Sequence, residues 1–246
     1  MDRITDYLEL KLNIVEWIDE YVKKNLIDAL VVGVSGGIDS AVVSTLCAET
    51  GFPTYAVGMP IHQDKDQESL SDAHLDWLTW KYTNVNKIKF DLTNTFDTFA
   101  STMDGYNENK LALANSRSRI RMVTLYQVAG SVGGIVVGTG NKVEDYGIGF
   151  YTKYGDGGVD IAPIADLYKT EVWELGKHLG VDQRIVDASP TDGLWDDGRC
   201  DEDQIGATYA DLEYSMETGT GPAVRILHDF NTKNKHKMIP IPTFKL

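Results

Sequence analysis

The apolar positions of this chain follow two alternating rhythms. Over residues 2–24, Ile4, Leu8, Leu12, Val15, Ile18 and Val22 recur at the three-to-four-residue spacing of an amphipathic helix. Ala29–Val34 is then an unbroken aliphatic run, the pattern of a parallel strand buried on both faces. The alternation predicts a helix near Asp39–Glu49 ended by Gly51, a strand Thr54–Met59 stopped by Pro60, and a helix near Gln67–Trp80. A strand Asn86–Asp91, a short helix near Phe96–Met103, a long helix Asn115–Ala129 and a strand Ile135–Gly138 follow. Strands alternating with helices predict βαβ units. The expected fold class is α/β, a parallel sheet sandwiched by helices, with its ligand crevice at the carboxyl ends of the strands.

Past Asp145 the rhythm is lost. Tyr146–Gly158 carries five glycines and reads as an irregular loop, and loops of that length inside a compact domain are usually functional or disordered. A helix near Tyr168–Leu179 is ended by Gly180. An acidic loop, Pro190–Asp203, precedes a helix near Asp203–Glu217 and a basic, proline-containing tail. Within that tail Asn231–Lys237 shows no helical periodicity, which suits a cover segment rather than a packed helix. No repeat or linker interrupts the chain, so residues 1–246 read as a single domain.

Charge narrows the possible ligands. A formal net charge of −14 argues against a general nucleic-acid-binding surface. Locally the balance reverses: Asn109–Val143 has no acid but holds Lys110, Arg117, Arg119, Arg121 and Lys142, and the last 16 residues hold four lysines and no acid. Two basic islands in an acidic chain suit a small polyanion, although solvated faces account for them equally well. Cys47 and Cys200 are distant from each other and form no metal or disulfide motif. No leader pattern or membrane-length apolar run is visible, so a cytoplasmic, membrane-free setting is expected.

The candidate chemistry begins at the first strand end. After Gly33-Val34, residues Ser35-Gly36-Gly37 allow a tight turn, and Ile38-Asp39-Ser40 opens the next helix. Backbone amides at a helix N-terminus attract anions, so the loop suits a phosphate chain. It lacks the lysine of a Walker loop. Asp39 stands near that position instead, pointing to a metal-bridged phosphate. Glu144 follows a second strand end, and two such carboxylates can share a magnesium ion; taken alone Glu144 is more often a helix first-turn residue, and the loop at Ser35 makes the metal reading the better one. Arg117 and Arg121 share a helix face, while Arg119 points elsewhere.

Ser-Gly-Gly-Ile-Asp-Ser resembles the pyrophosphate-binding loop of the N-type ATP pyrophosphatases. The ordered series Asn115-x-x-x-Arg119-x-Arg121-Met122, Val136-Val137-Gly138-Thr139, Gly149–Asp160, Leu167–Thr170 and Ser189-Pro190-Thr191 is similar to the ammonia-dependent NAD synthetase family over nearly the whole chain. The resemblance implies ATP-dependent amidation of deamido-NAD with ammonia, through an acyl adenylate, in a homodimer that binds deamido-NAD across its interface. It implies that Gly33, Val34, Ser35, Gly36, Gly37, Ile38, Asp39 and Ser40 cradle ATP, with Thr139, Lys169 and Thr191 also on ATP. Asp39 and Glu144 would hold Mg2+, and Arg119, Lys153, Asp160, His236 and Lys237 would hold deamido-NAD. The stretch Glu144–Lys153 is one residue longer than the family pattern, which suggests a bulge. The rival readings are another ATP pyrophosphatase, such as a GMP synthetase subunit or a tRNA-thiolating enzyme, and a nucleotide sensor without turnover. Thiolation wants a persulfide-carrying cysteine and a basic surface, and neither is evident; a sensor predicts lost metal acids, whereas both are present.

Overall fold

The computed structural model describes residues 3–191 and 200–245. Four parallel strands form the sheet: β1 (Ala29–Gly33), β2 (Thr54–Gly58), β3 (Val85–Lys89) and β4 (Gly134–Val136), in the order β3-β2-β1-β4. The chain adds β2 and β3 on one side of β1 and β4 on the other. The loops leaving β1 and β4 therefore diverge at a switch point, where an open α/β sheet has its crevice.

Strand β1 is buried on both faces, as its unbroken apolar run requires. Leu30 and Val32 join a core with α1 (Tyr7–Asn25), α2 (Ile38–Glu49) and α6 (Lys169–Leu179). Val31 points the other way and, with Val57 and Val136, packs on Phe96 of α4 (Thr93–Thr102) and on Met122, Leu125 and Val128 of α5 (Lys110–Val132). Helix α3 (Lys65–Lys81) covers the β2–β3 edge through Leu75 and Leu78. A smaller core joins Val143 and Ile148 to α8 (Asp201–Ile205), α9 (Tyr209–Thr218) and α10 (Val224–Met238), beyond the short α7 (Gln183–Val186).

Several boundaries differ from the sequence expectation for identifiable reasons. Helix α1 buries Ile14, Ile18 and Val22 but leaves Leu8 and Leu12 exposed. Helix α5 starts at Lys110 because the Asn109 side chain accepts from the Ala112 amide, so Asn115 lies inside the helix and accepts instead from Thr152 Oγ1 at 2.8 Å. The helix expected over Asp203–Glu217 is two, broken where Gly206 turns left-handed (φ +83°) and restarted by the Thr208 cap. The tail is helical as α10. Its first turns pack Ile226, Leu227 and Phe230 on the small core, while over Asn231–Lys237 the inner face is joined by side-chain amides, Asn231 to the Gly147 carbonyl and Asn234 to the Ile148 carbonyl, so apolar periodicity could not reveal that part.

The expected irregular loop opens with one wide π-helical turn, Lys142–Ile148. Asn141 Oδ1 accepts from the amides of Val143 and Glu144, and left-handed Gly149 closes the turn by donating to the Glu144 carbonyl. A π turn takes up one more residue than an α turn, which suits the bulge expected between Glu144 and Lys153.

On the inner face of α3, His74 is buried, shares a hydrogen bond with Ser44 Oγ at 2.9 Å and stacks on Trp77. Its Nδ1 has no hydrogen-bond partner among the described residues, and burial pushes the imidazole down to about 4. The folded state therefore binds this proton less readily than the unfolded chain, whose histidine titrates near 6.5. The stability tied to His74 is complete above about pH 6.5 and is lost as pH falls towards 4, on the order of 3 kcal/mol in all. Urea unfolding at pH 7 and pH 4.5 should show a larger acid loss in wild type than in His74→Gln; equal losses would remove His74 from the acid response.

Candidate active site

A cavity of about 570 Å³ opens where the carboxyl ends of β1, β2 and β4 meet. Its floor is the glycine loop: Gly33, Val34, Ser35, Gly37, Ile38, Asp39 and Ser40 all line it. Gly36 lies behind, at φ +89°, where a Cβ would stand 2.6 Å from the Gln67 carbonyl oxygen on α3. The loop is braced from within by Ser40 Oγ, which donates to the Gly37 carbonyl and lies 3.1 Å from Ser35 Oγ. Gly37 begins α2 with no side-chain cap, so first-turn amides face the cavity without an internal acceptor, an anion-binding geometry.

At the centre stands a charged triad. The Lys169 ammonium donates to Asp39 Oδ2 at 2.5 Å and to Glu144 Oε1 at 2.9 Å. Asn141 Nδ2 donates to Asp39 Oδ1 at 3.2 Å, and the Tyr209 hydroxyl donates to Glu144 Oε1 at 2.6 Å. Lys169 is 2 % exposed, and the carboxylates are 18 % and 16 % exposed. Burial opposes the ammonium, but the two facing carboxylates outweigh it and hold Lys169 firmly protonated. Burial raises the Glu144 carboxyl, yet Lys169 and the Tyr209 hydroxyl draw it below its ordinary range. For Asp39 burial wins, and its carboxyl lies above the usual value. Two carboxylates aimed at one point are a donor set suited to a hard divalent ion, which phosphate oxygens would complete.

The sequence-derived residues divide between two places. Thr139, Lys169, Thr191, His236 and Lys237 line the same cavity as the glycine loop, Asp39 and Glu144. Lys237 also donates to the Tyr151 carbonyl, and the Tyr151 hydroxyl returns a bond to the Lys237 carbonyl, tying α10 across the mouth. Arg119, Lys153 and Asp160 lie outside the cavity. Arg119 Nε donates to the Lys153 carbonyl, and Asp160 accepts from the Val136 amide and the Tyr126 hydroxyl. They flank a shallow groove lined by Met122, Val123, Tyr126, Gln127, Tyr154 and Gly158.

Three residues at or behind the site escaped the sequence reading. Asn141 and Tyr209 touch the triad, but no motif singles them out. Asp145 lines the cavity on the π turn, and burial together with the Asp156, Glu144 and Asp39 charges raises its carboxyl well above the usual range.

The NAD synthase family profile matches residues 10–237. The chain is 38 % identical to the NH(3)-dependent NAD(+) synthetase of Carboxydothermus hydrogenoformans over 231 residues, 91 % of this chain and 92 % of that protein. Among solved structures, it superposes on an NMN synthetase from Francisella tularensis with a TM-score of 0.91 at 30 % identity, covering 99 % of this chain and 100 % of the other. It superposes on an NH3-dependent NAD synthetase from Campylobacter jejuni with a TM-score of 0.79 at 26 % identity, covering 98 % and 100 %.

The glycine loop yields a direct test. Gly51 is also left-handed (φ +78°), but a Cβ there meets nothing within 4 Å. Gly51→Ala should therefore cost only the backbone strain, about 1 kcal/mol. Gly36→Ala must also displace the α3 carbonyl and should cost at least twice as much in urea unfolding. Equal losses would mean that the contact with α3 does not demand glycine.

Proposed function

The chain belongs to the NAD synthase family, and from that premise we propose that it joins ammonia to the nicotinate carboxylate of deamido-NAD, converting ATP to AMP and pyrophosphate. The observation that carries the reading is the convergence, in one cavity, of an uncapped glycine loop, two carboxylates and a buried lysine. Such a set serves phosphate chemistry by positioning and charge neutralisation and requires no covalent nucleophile.

A carboxylate is a poor acylating agent at neutral pH. In the first step its oxygen attacks the α-phosphorus of ATP, the bond to the β-phosphate bridging oxygen breaks, and pyrophosphate leaves. In the second, ammonia attacks the acyl carbon, AMP departs with the carboxylate oxygen, and a proton is released. The α2 amides and Ser35–Ser40 hold the phosphate chain, with Thr139 and Thr191 on the nucleotide. A magnesium ion held by Asp39 and Glu144 would neutralise charge on the phosphate oxygens. Lys169 must leave the carboxylates as that charge arrives, and the phosphate offers its ammonium a new partner. His236 and Lys237, with α10 as roof, keep the dinucleotide in place and restrict water, which would hydrolyse the adenylate.

Arg119, Lys153 and Asp160 lie on the outer groove, and we assign them to the outer part of a dinucleotide shared with a second copy of the chain. Among the described residues no helix is long and apolar enough to cross a membrane. A second reading concerns the substrate's size. The TM-score of 0.91 is to a protein described as an NMN synthetase, so the acid mononucleotide is a rival acceptor for the same inner cavity. The nicotinate chemistry is common to both; only the outer groove distinguishes them.

Product analysis with ATP, magnesium and ammonium should give amidated nucleotide, AMP and pyrophosphate in equal amounts. Run in parallel, deamido-NAD and the acid mononucleotide decide the acceptor through kcat/KM. ADP and phosphate as products would rule out adenylation. Asp39→Asn and Glu144→Gln should each lower kcat about a hundredfold or more, about 3 kcal/mol of transition-state stabilisation, while far-ultraviolet circular dichroism stays unchanged. Wild-type turnover in either variant would remove that carboxylate from the metal site.

A further inference from the structure

Among the described residues, Tyr209 is the aromatic side chain that touches both Glu144 and Lys169 at the centre of the site. Its hydroxyl donates to Glu144 Oε1 at 2.6 Å, the same oxygen that Lys169 reaches at 2.9 Å. Its ring lies beneath the Lys169 ammonium, 5.1 Å from centroid to Nζ. The residue is itself rigidly held. It is 1 % exposed, its amide donates to Glu202 Oε1 at 2.8 Å, and its ring packs edge-on against Trp173 of α6. Because α6 begins at Lys169, one aromatic contact links the tyrosine, the lysine's helix and the carboxylate.

We propose that Tyr209 is a positioning residue that keeps Glu144 aimed at the metal when Lys169 departs for the phosphate. The proposal rests on the assignment of Asp39 and Glu144 to the metal. While Lys169 is in place, Glu144 Oε1 has two strong donors. When the ammonium leaves, that oxygen keeps the tyrosine hydroxyl, and the carboxylate cannot swing freely in its pocket. A donor behind a ligating carboxylate fixes its orientation, and loss of such partners commonly weakens metal affinity 10–100-fold. The ring adds an electron-rich face to the site the ammonium leaves and returns to, so the exchange need not pass through an apolar wall. Nothing in the sequence marks this role: Tyr209 lies 65 residues beyond Glu144, at the first position of a helix expected to begin earlier.

The test uses Mn2+ as a spectroscopic stand-in for magnesium. Free Mn2+ is followed by electron paramagnetic resonance during titration into the full chain in the presence of α,β-methylene-ATP. Tyr209→Phe keeps the ring and removes only the hydroxyl. It should weaken Mn2+ binding roughly tenfold and raise the magnesium concentration for half-maximal turnover to match. KM for the carboxylate substrate should stay unchanged, which a general structural defect would not allow. p-Aminophenylalanine at position 209 restores a donor at the same place and should recover the affinity; it also serves if the phenylalanine variant does not fold. Unchanged Mn2+ affinity in Tyr209→Phe, alongside a loss in Glu144→Gln, would overturn the role of Tyr209 alone. Unchanged affinity in Glu144→Gln as well would overturn the metal assignment and this proposal with it.

Discussion

The ammonium of Lys169, buried between Asp39 and Glu144, is the interaction on which the rest of the site depends. An isolated charge at such depth would be prohibitively desolvated, so the lysine requires both carboxylates, and the carboxylates require a cation. The three side chains come from three separate segments: the first turn of α2, the π turn after β4, and the start of α6. One ion cluster thus draws together the loops that border the crevice. One ammonium faces two carboxylates there, and it is on this arrangement that the proposed metal and phosphate binding rests.

The fold supplies the clamps that hold the cluster. Glu171 accepts from the Tyr168 amide and caps the α6 N-terminus, directly beside Lys169. Buried Glu213 accepts from the Thr170 amide at 2.9 Å and from Thr170 Oγ1 at 2.7 Å, and Arg3 pairs with it at 3.0 Å while lying over the Tyr168 ring. The N-terminal arm, α6 and α9 are thereby joined behind the active lysine. On the opposite side, Asn141 serves twice, capping the π turn through its oxygen and bonding Asp39 through its nitrogen.

Much of this was legible in the sequence because it is local. The unbroken run Ala29–Gly33 and the glycines after it define a buried strand and its turn, and strand-end position alone drew attention to Asp39 and Glu144. The resemblance to the ammonia-dependent NAD synthetases added Thr139, Lys169, Thr191, His236 and Lys237, all of which line the cavity. What stayed hidden depends on distant pairing. Lys169 and Asp39 are 130 residues apart, and nothing in their neighbourhoods announces an ion pair. Tyr209 sits after a helix break that Gly206 imposes within an otherwise continuous helical pattern. Helix α10 packs Ile226, Leu227 and Phe230 on the small core, but over Asn231–Lys237 it docks by asparagine side chains, so hydrophobic periodicity could not find that part. The acidic loop expected over Pro190–Asp203 lies mostly outside the described residues.

The central claim is that the lysine and a divalent ion exchange places on one pair of carboxylates. A crystal structure of the chain with Mg2+ and α,β-methylene-ATP tests it most directly. The account predicts a metal ion ligated by both Asp39 and Glu144, with Lys169 Nζ displaced from them onto a phosphate oxygen and Tyr209 still bonded to Glu144. A structure in which Lys169 keeps both carboxylates while the metal is bound elsewhere on the nucleotide would contradict it.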